Sequence, residues 1–203
     1  MRTEAVLFDA DGVVQTAHAW RPAIAAALGI HRARIDEFER QVYAVERPAL
    51  TGDGDFDTVF VPLLQSWQVS RDDMVRAWTT IEINADVIDL VRRLRAGGQR
   101  CCLASNQQAM RAEHMSRVLG YAALFDREFY SYRLRRMKPD AEFFHRIVAE
   151  LGVAASDIAF VDDSAANVAA ARAVGIRAAV YDCVNGAARL RQTLATLGVA
   201  ILD

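Results

Sequence analysis

An α/β architecture, a mainly parallel sheet covered by helices on both faces, is predicted by three observations on this 203-residue chain. From about residue 84 onward, apolar runs of strand length alternate with amphipathic helical segments, and such alternation builds parallel sheets. The first apolar run, Val6-Leu7-Phe8, passes directly into Asp9-Ala10-Asp11-Gly12. Residues from about 16 to 82 carry helical patterns with no convincing strand between them, which marks an insertion after the first strand. The expected layout is a core of residues 1–15 and 83–203 interrupted by a helical segment of residues 16–82.

Apolar residues running into two acids read as a buried strand that delivers both carboxylates to the sheet edge, where open α/β folds place their chemistry. Strand alternation turns Asp9 and Asp11 to one side, and Gly12 lets the chain turn sharply. Within the insertion, residues 23–28, 32–45, 56–67 and 71–80 read as helices, and the connections at 14–17 and 82–84 are candidate hinges. Residues 84–97 read as a helix with Val87, Ile88, Val91 and Leu94 on one face, closed by Gly97-Gly98. A buried strand over 100–104 stops at Ser105-Asn106, and a helix over 107–119 is closed by Gly120. A short strand at 127–132 precedes a helix over 140–151 that opens after Pro139 and ends at Gly152. A strand at 158–161, a helix over 164–174, a strand at 176–181 and a helix from about 186 to 197 complete the chain.

Hydrophobic residues make up 53% and charged residues 25%, the proportions of a soluble globular protein. A net charge of −2 shows no bulk basicity, so nucleic acid is not an implied partner. No apolar stretch approaches the length of a membrane span, so no membrane partner is expected. The start MRTEAVLFDADG lacks the design of a signal peptide. Cys101, Cys102 and Cys183 have no CxxC spacing, which argues against zinc and for small buried residues in a reduced, cytoplasmic setting.

Two like charges one residue apart repel unless a cation or a shared proton stabilises them, so Asp9 and Asp11 suggest a metal site, an acid/base pair, or both. Three further polar groups fall at strand ends. Ser105-Asn106 precedes a helix whose first amides make an anion cradle, although the same geometry also suits a simple N-cap. Lys138, just before Pro139-Asp140, can act as a point charge against a phosphate or against Asp9. Asp162-Asp163 ends a strand, with Ser164 placed to cap the next helix. Hard cations such as Mg²⁺ take one or two carboxylates plus water and phosphate oxygens, which Asp9 and Asp162 can supply from neighbouring strands.

The segments DADGV, LASN, MKPD and FVDDSAANVAAARAVG, in this order, resemble the four motifs of the haloacid dehalogenase-like hydrolase superfamily. The resemblance spans residues 1–14 and roughly 84–182. It implies a Rossmann-like core, a small helical cap, and the phosphatase branch's aspartyl-phosphate mechanism on a small phosphorylated substrate. Carried onto this chain, it makes Asp9 the nucleophile and Asp11 the acid that protonates the leaving alcohol and then deprotonates water. Ser105, Asn106 and Lys138 hold the phosphoryl group. Asp9, the Asp11 carbonyl, Asp162 and Asp163 bind Mg²⁺, Asp163 directly or through water. Asp9 raises the pKa of Asp11 while bound Mg²⁺ works the other way.

A phosphomutase shares all four motifs but needs groups that retain a bisphosphorylated intermediate. A haloacid dehalogenase, as the resemblance goes, lacks an acid at the position of Asp11 and the Asp162-Asp163 pair. A non-catalytic binding module on the same scaffold requires the motifs to be vestigial. Asp53-Gly54-Asp55-Phe56-Asp57 has the start of a calcium loop but Thr58 where the loop needs glycine, so it reads as a polar turn capping a helix. His18, Trp20, Arg21, Tyr43 and Arg47 could face substrate or pack, and Trp67 and Trp78 read as insertion core.

Overall fold

The structure, a computed structural model, describes residues 3–16, 20–29 and 32–201. Five strands, β1 (Ala5–Phe8), β2 (Arg100–Ser105), β3 (Arg127–Tyr130), β4 (Ile158–Asp162) and β5 (Arg177–Val180), form one sheet in the order β3-β2-β1-β4-β5. Every pairing is parallel. The strand alternation divides the core. Val6 and Phe8 pack with Cys101, Leu103 and Val161 on one face, whereas Ala5 and Leu7 pack with Cys102, Ala104 and Phe160 on the other. Such two-sided burial explains why these strands read as continuous apolar runs.

The helices of the insertion are α1 (Trp20–Leu28), α2 (Arg32–Val45), α3 (Arg47–Leu50), α4 (Phe56–Ser66) and α5 (Arg71–Trp78). They bury a core of their own, in which Phe38, Phe60, Leu64, Met74 and Trp78 meet and against which Trp67 packs. The turn at Asp53–Asp57 does cap α4: the Asp55 carboxylate accepts from the Thr58 amide at 2.7 Å. The two connections run side by side, with Thr16 donating to the Glu82 carbonyl at 2.8 Å and Asn84 to that of Val14 at 2.9 Å. Ala17, part of the first candidate hinge, and His18 lie outside the described residues.

The remaining helices are α6 (Ala85–Ala96), α7 (Ala109–Glu113), α8 (Tyr121–Leu124), α9 (Ser131–Leu134), α10 (Ala141–Leu151), α11 (Ala165–Ala173) and α12 (Gly186–Thr196). Most match the spans expected from periodicity, with three differences. The helix expected over 107–119 starts at Ala109, because the Gln108 side chain accepts from the Met110 and Arg111 amides, and it widens into a π-helical turn over His114–Val118. The strand expected to reach residue 132 ends at Tyr130, where α9 begins. Ser164 makes no capping bond from its side chain. The Asp162 carboxylate takes the Ser164 amide at 2.8 Å instead, a stronger charged acceptor for a helix N-terminus.

Candidate active site

The strand order reverses on either side of β1, so a crevice opens beyond its carboxyl end. Asp9 stands there, its amide held by the Val161 carbonyl at 3.0 Å. Its Oδ1 accepts from the Ala10 amide at 2.7 Å and lies 2.8 Å from Lys138 Nζ. Among the described residues, no hydrogen bond is made to Oδ2. Burial raises the Asp9 carboxyl, Lys138 opposes it, and Asp162 and Asp11 add to the rise, leaving it at about 7. A bound cation would return it to the ionised form.

Lys138 is buried and fully engaged, donating to the Ala104 carbonyl at 2.9 Å and to Asp162 Oδ2 at 2.6 Å besides its contact with Asp9. Burial disfavours its charge, but Asp9 and Asp162 outweigh that cost and push its pKa up. Asn106 sets the position of Lys138: its amide nitrogen donates to the Lys138 carbonyl at 2.9 Å, and its oxygen accepts from the Lys138 amide at 2.8 Å. Ser105, buried at the end of β2, presents its hydroxyl beside Gln107 Nε2 at 3.3 Å.

Asp162 is fully buried and holds its geometry through Ser164, Asn167 and Lys138. Asp163 is exposed, and the carboxylates of Asp9, Asp162 and Asp163 each bring an oxygen within 4.8 Å of the others. That donor set, all hard oxygen, suits Mg²⁺. Gly12 makes room for it. Its φ is +78°, and a Cβ there would overlap the Asp163 carboxylate. Gly12→Ala is therefore expected to lower stability by about 1–3 kcal/mol and to weaken Mg²⁺ binding, both readable by thermal unfolding with and without the ion.

Asp11 departs most from the sequence-level picture. It leaves the strand and turns toward residues that no motif marks. Arg111 grips both of its oxygens, Nη1 to Oδ2 at 2.6 Å and Nη2 to Oδ1 at 2.8 Å. Gln15 and Gln107 donate to it at 2.8 and 2.7 Å. Burial pushes the carboxyl up, but Arg111 and these bonds outweigh it and bring it to about 2. The Arg111 Nε also donates to the Trp78 carbonyl at 3.0 Å, which links the end of the insertion to the acid. Arg111, Gln15 and Gln107 carried one faint sequence signal: Gln107 and Arg111 sit four apart in the segment expected to be helical over 107–119, directly after the Ser105-Asn106 motif.

A free aspartate titrates near 3.8 and Asp11 in the fold at about 2, so its stabilising contribution is complete above about pH 4 and is lost as pH falls toward 2. Urea unfolding of the wild type and Arg111→Gln should show a stability gap at pH 6 that narrows at pH 3. A gap independent of pH would contradict this pairing.

A cavity of about 310 Å³ gathers these groups, lined on its floor by Asp9, Asp11, Ser105, Asn106, Lys138 and Asp163. Of the residues proposed to face substrate, Trp20 and Tyr43 line it. Arg21 instead pairs with Asp36 and Glu39, and Arg47 is exposed.

The comparisons with known proteins agree with this fold. A HAD family enzyme of Bacteroides thetaiotaomicron superposes with a TM-score of 0.78 at 17% identity, covering 94% of this chain and 99% of that one. The same fold was determined for that enzyme in complex with magnesium and inorganic phosphate, with a TM-score of 0.72 at 19% identity over 87% of this chain and 93% of that one. A sesquiterpene phosphatase of Aspergillus oryzae is 34% identical over 94 residues, 46% of this chain and 47% of that protein. A drimenol cyclase of Aspergillus calidoustus is 36% identical over 58 residues, 29% of this chain and 11% of the cyclase. The chain thus spans less than half the length of the curated relatives it matches. The haloacid dehalogenase-like hydrolase model matches residues 3–175, and the chain belongs to that family.

Proposed function

We propose that this hydrolase is a Mg²⁺-dependent phosphatase that cleaves a small phosphorylated metabolite through an aspartyl-phosphate on Asp9. The observation that carries the reading is the Asp9 carboxylate itself. One oxygen is fixed by Ala10 and Lys138, the other has no hydrogen-bond partner among the described residues, and Asp9 lines the cavity. Asp9 Oδ2 attacks phosphorus while the bond from phosphorus to the alcohol oxygen breaks, and the alcohol takes a proton from Asp11. Asp11 then accepts a proton from the water that attacks phosphorus, and Asp9 leaves as a carboxylate. Ser105 and Lys138 face the phosphoryl oxygens, and Asn106 fixes Lys138. In the arrangement observed, Asp11 is ionised by Arg111, ready for the second step. Its donor role in the first step requires release from that grip.

Asp9, the Asp11 carbonyl, Asp162 and, directly or through water, Asp163 would hold Mg²⁺. When bound, the ion offsets the repulsion between carboxylate and phosphoryl dianion. The helical insertion acts as a cap that closes over the cavity and excludes water. Support comes from the sesquiterpene phosphatase among the relatives and from the magnesium and phosphate complex of the structural neighbour. Three free, buried cysteines suit a reducing, cytoplasmic setting, and among the described residues no helix is long and apolar enough to cross a membrane.

The reading is tested with an aryl phosphate. EDTA should abolish phosphate release and Mg²⁺ should restore it, whereas metal-independent turnover would contradict the assignment. With a sugar phosphate in place of the aryl ester, free phosphate rather than an isomerised sugar phosphate is the expected product, which separates a phosphatase from a phosphomutase.

A further inference from the structure

The cavity has two chemically distinct halves. Opposite the polar floor, the wall supplied by the insertion is apolar: Trp20, Val42, Leu50, Phe60 and Trp78 line it, and Met137 continues it from the core. The insertion adds two polar residues, Tyr43 and Glu46. The Tyr43 hydroxyl is engaged, donating to Glu39 at 2.8 Å. Glu46, half-buried at the start of α3, makes no side-chain hydrogen bond or ion pair among the described residues. Burial raises its pKa to about 7, as expected of an acid without a counter-charge.

No lysine, arginine or histidine among the described residues of the insertion lines this cavity. The two cations that do, Lys138 and Arg111, come from the core and are committed to Asp9 and Asp162 and to Asp11 respectively. A second anionic group on the substrate would find no uncommitted cation among the described residues, only neutral donors such as the unpartnered Gln108 amide, and on the insertion side would face Glu46. Burying an unpaired charge is strongly disfavoured, and specificity is often built from such repulsive placement. Hydrocarbon, in contrast, gains from every contact with this wall.

Resting on the phosphatase reading, we propose that the site takes phosphate monoesters of largely hydrocarbon alcohols without a second negative charge. Glu46 is the residue that turns away substrates bearing a carboxylate or a second phosphate there.

The test is phosphate release with Mg²⁺ at pH 8 from four probes: hexyl phosphate, ethyl phosphate, 6-phosphooxyhexanoate and 4-nitrophenyl phosphate. The first three share a primary alkyl leaving group, so their differences report binding of the chain. Each buried methylene is worth about fourfold, so hexyl phosphate, with four more methylenes, should exceed ethyl phosphate in kcat/KM by about 250-fold. The carboxylate analogue should fall at least about tenfold below hexyl phosphate. In Glu46→Gln that second ratio should shrink toward unity, and in Leu50→Arg it should invert. Both are ratios within one preparation, so partial misfolding does not move them. Turnover of 4-nitrophenyl phosphate with no preference for hexyl over ethyl phosphate would overturn the proposal and leave the phosphatase reading standing. An unchanged ratio in Glu46→Gln would overturn the role of Glu46. Failure to hydrolyse any of the four would remove the phosphatase reading and this proposal with it.

Discussion

Replacing Asp9 with asparagine should reduce kcat by at least about 10⁴-fold, the scale seen when a nucleophile acting as part of a unit is removed. The amide oxygen of asparagine can still accept from Ala10 and Lys138 in place of Oδ1, so the fold should be retained. What is lost is the free carboxylate oxygen, which an amide cannot replace as a nucleophile. Circular dichroism and thermal unfolding of the purified variant, set beside its turnover of an aryl phosphate, measure the two effects separately. Near wild-type turnover would refute Asp9 as nucleophile.

Lys138→Met should have the largest effect on stability. The ammonium is buried between the carboxylates of Asp9 and Asp162 at 2.8 and 2.6 Å. Removing one partner of a buried ionic cluster costs about 3–5 kcal/mol, because the other charges are left uncompensated. For a chain of this size that is roughly 6–20 °C in Tm. The carboxylates can escape part of the cost by taking up protons. Without Lys138 the folded pKa of Asp9, already raised to about 7 by burial, rises further above that of the unfolded chain, so the deficit should grow as pH increases from 5 to 8. Thermal unfolding in EDTA across that range checks this, and a deficit that shrank with pH would contradict it. Turnover should also be lost.

Much of this molecule could be read from its residues, because the relevant physics is local. The alternation of Val6 and Phe8 against Ala5 and Leu7 appears as two separate core faces. Asp9 and Asp162 stand at strand ends because apolar runs stop there, Lys138 instead reaches the site from the loop between α9 and α10, and the polar turn at Asp55 caps α4 as composition suggested. The environment of Asp11 was not legible. Its partners Gln107 and Arg111 lie 96 and 100 residues away, and no periodicity reports a contact across that distance. The Ser164 cap failed for a related reason: a carboxylate belonging to the site competes for the same amide. Glu46 gave no sequence signal, since its isolation depends on which apolar side chains surround it.

The balance at Asp11 follows from these contacts. Proximity to Asp9 would raise its pKa, yet a bidentate guanidinium and two amides prevail. Because Arg111 also bonds to the Trp78 carbonyl, the acid and the end of the insertion share one anchor.

The central claim is that phosphate is carried covalently by Asp9. Acid-quenching the enzyme during turnover of an aryl phosphate, reducing with borohydride and sequencing the peptide that contains position 9 by mass spectrometry tests it directly. The account predicts homoserine at position 9, formed by reduction of the acyl phosphate, and an unmodified aspartate at position 11. An intact Asp9 in a sample that is releasing phosphate would contradict it.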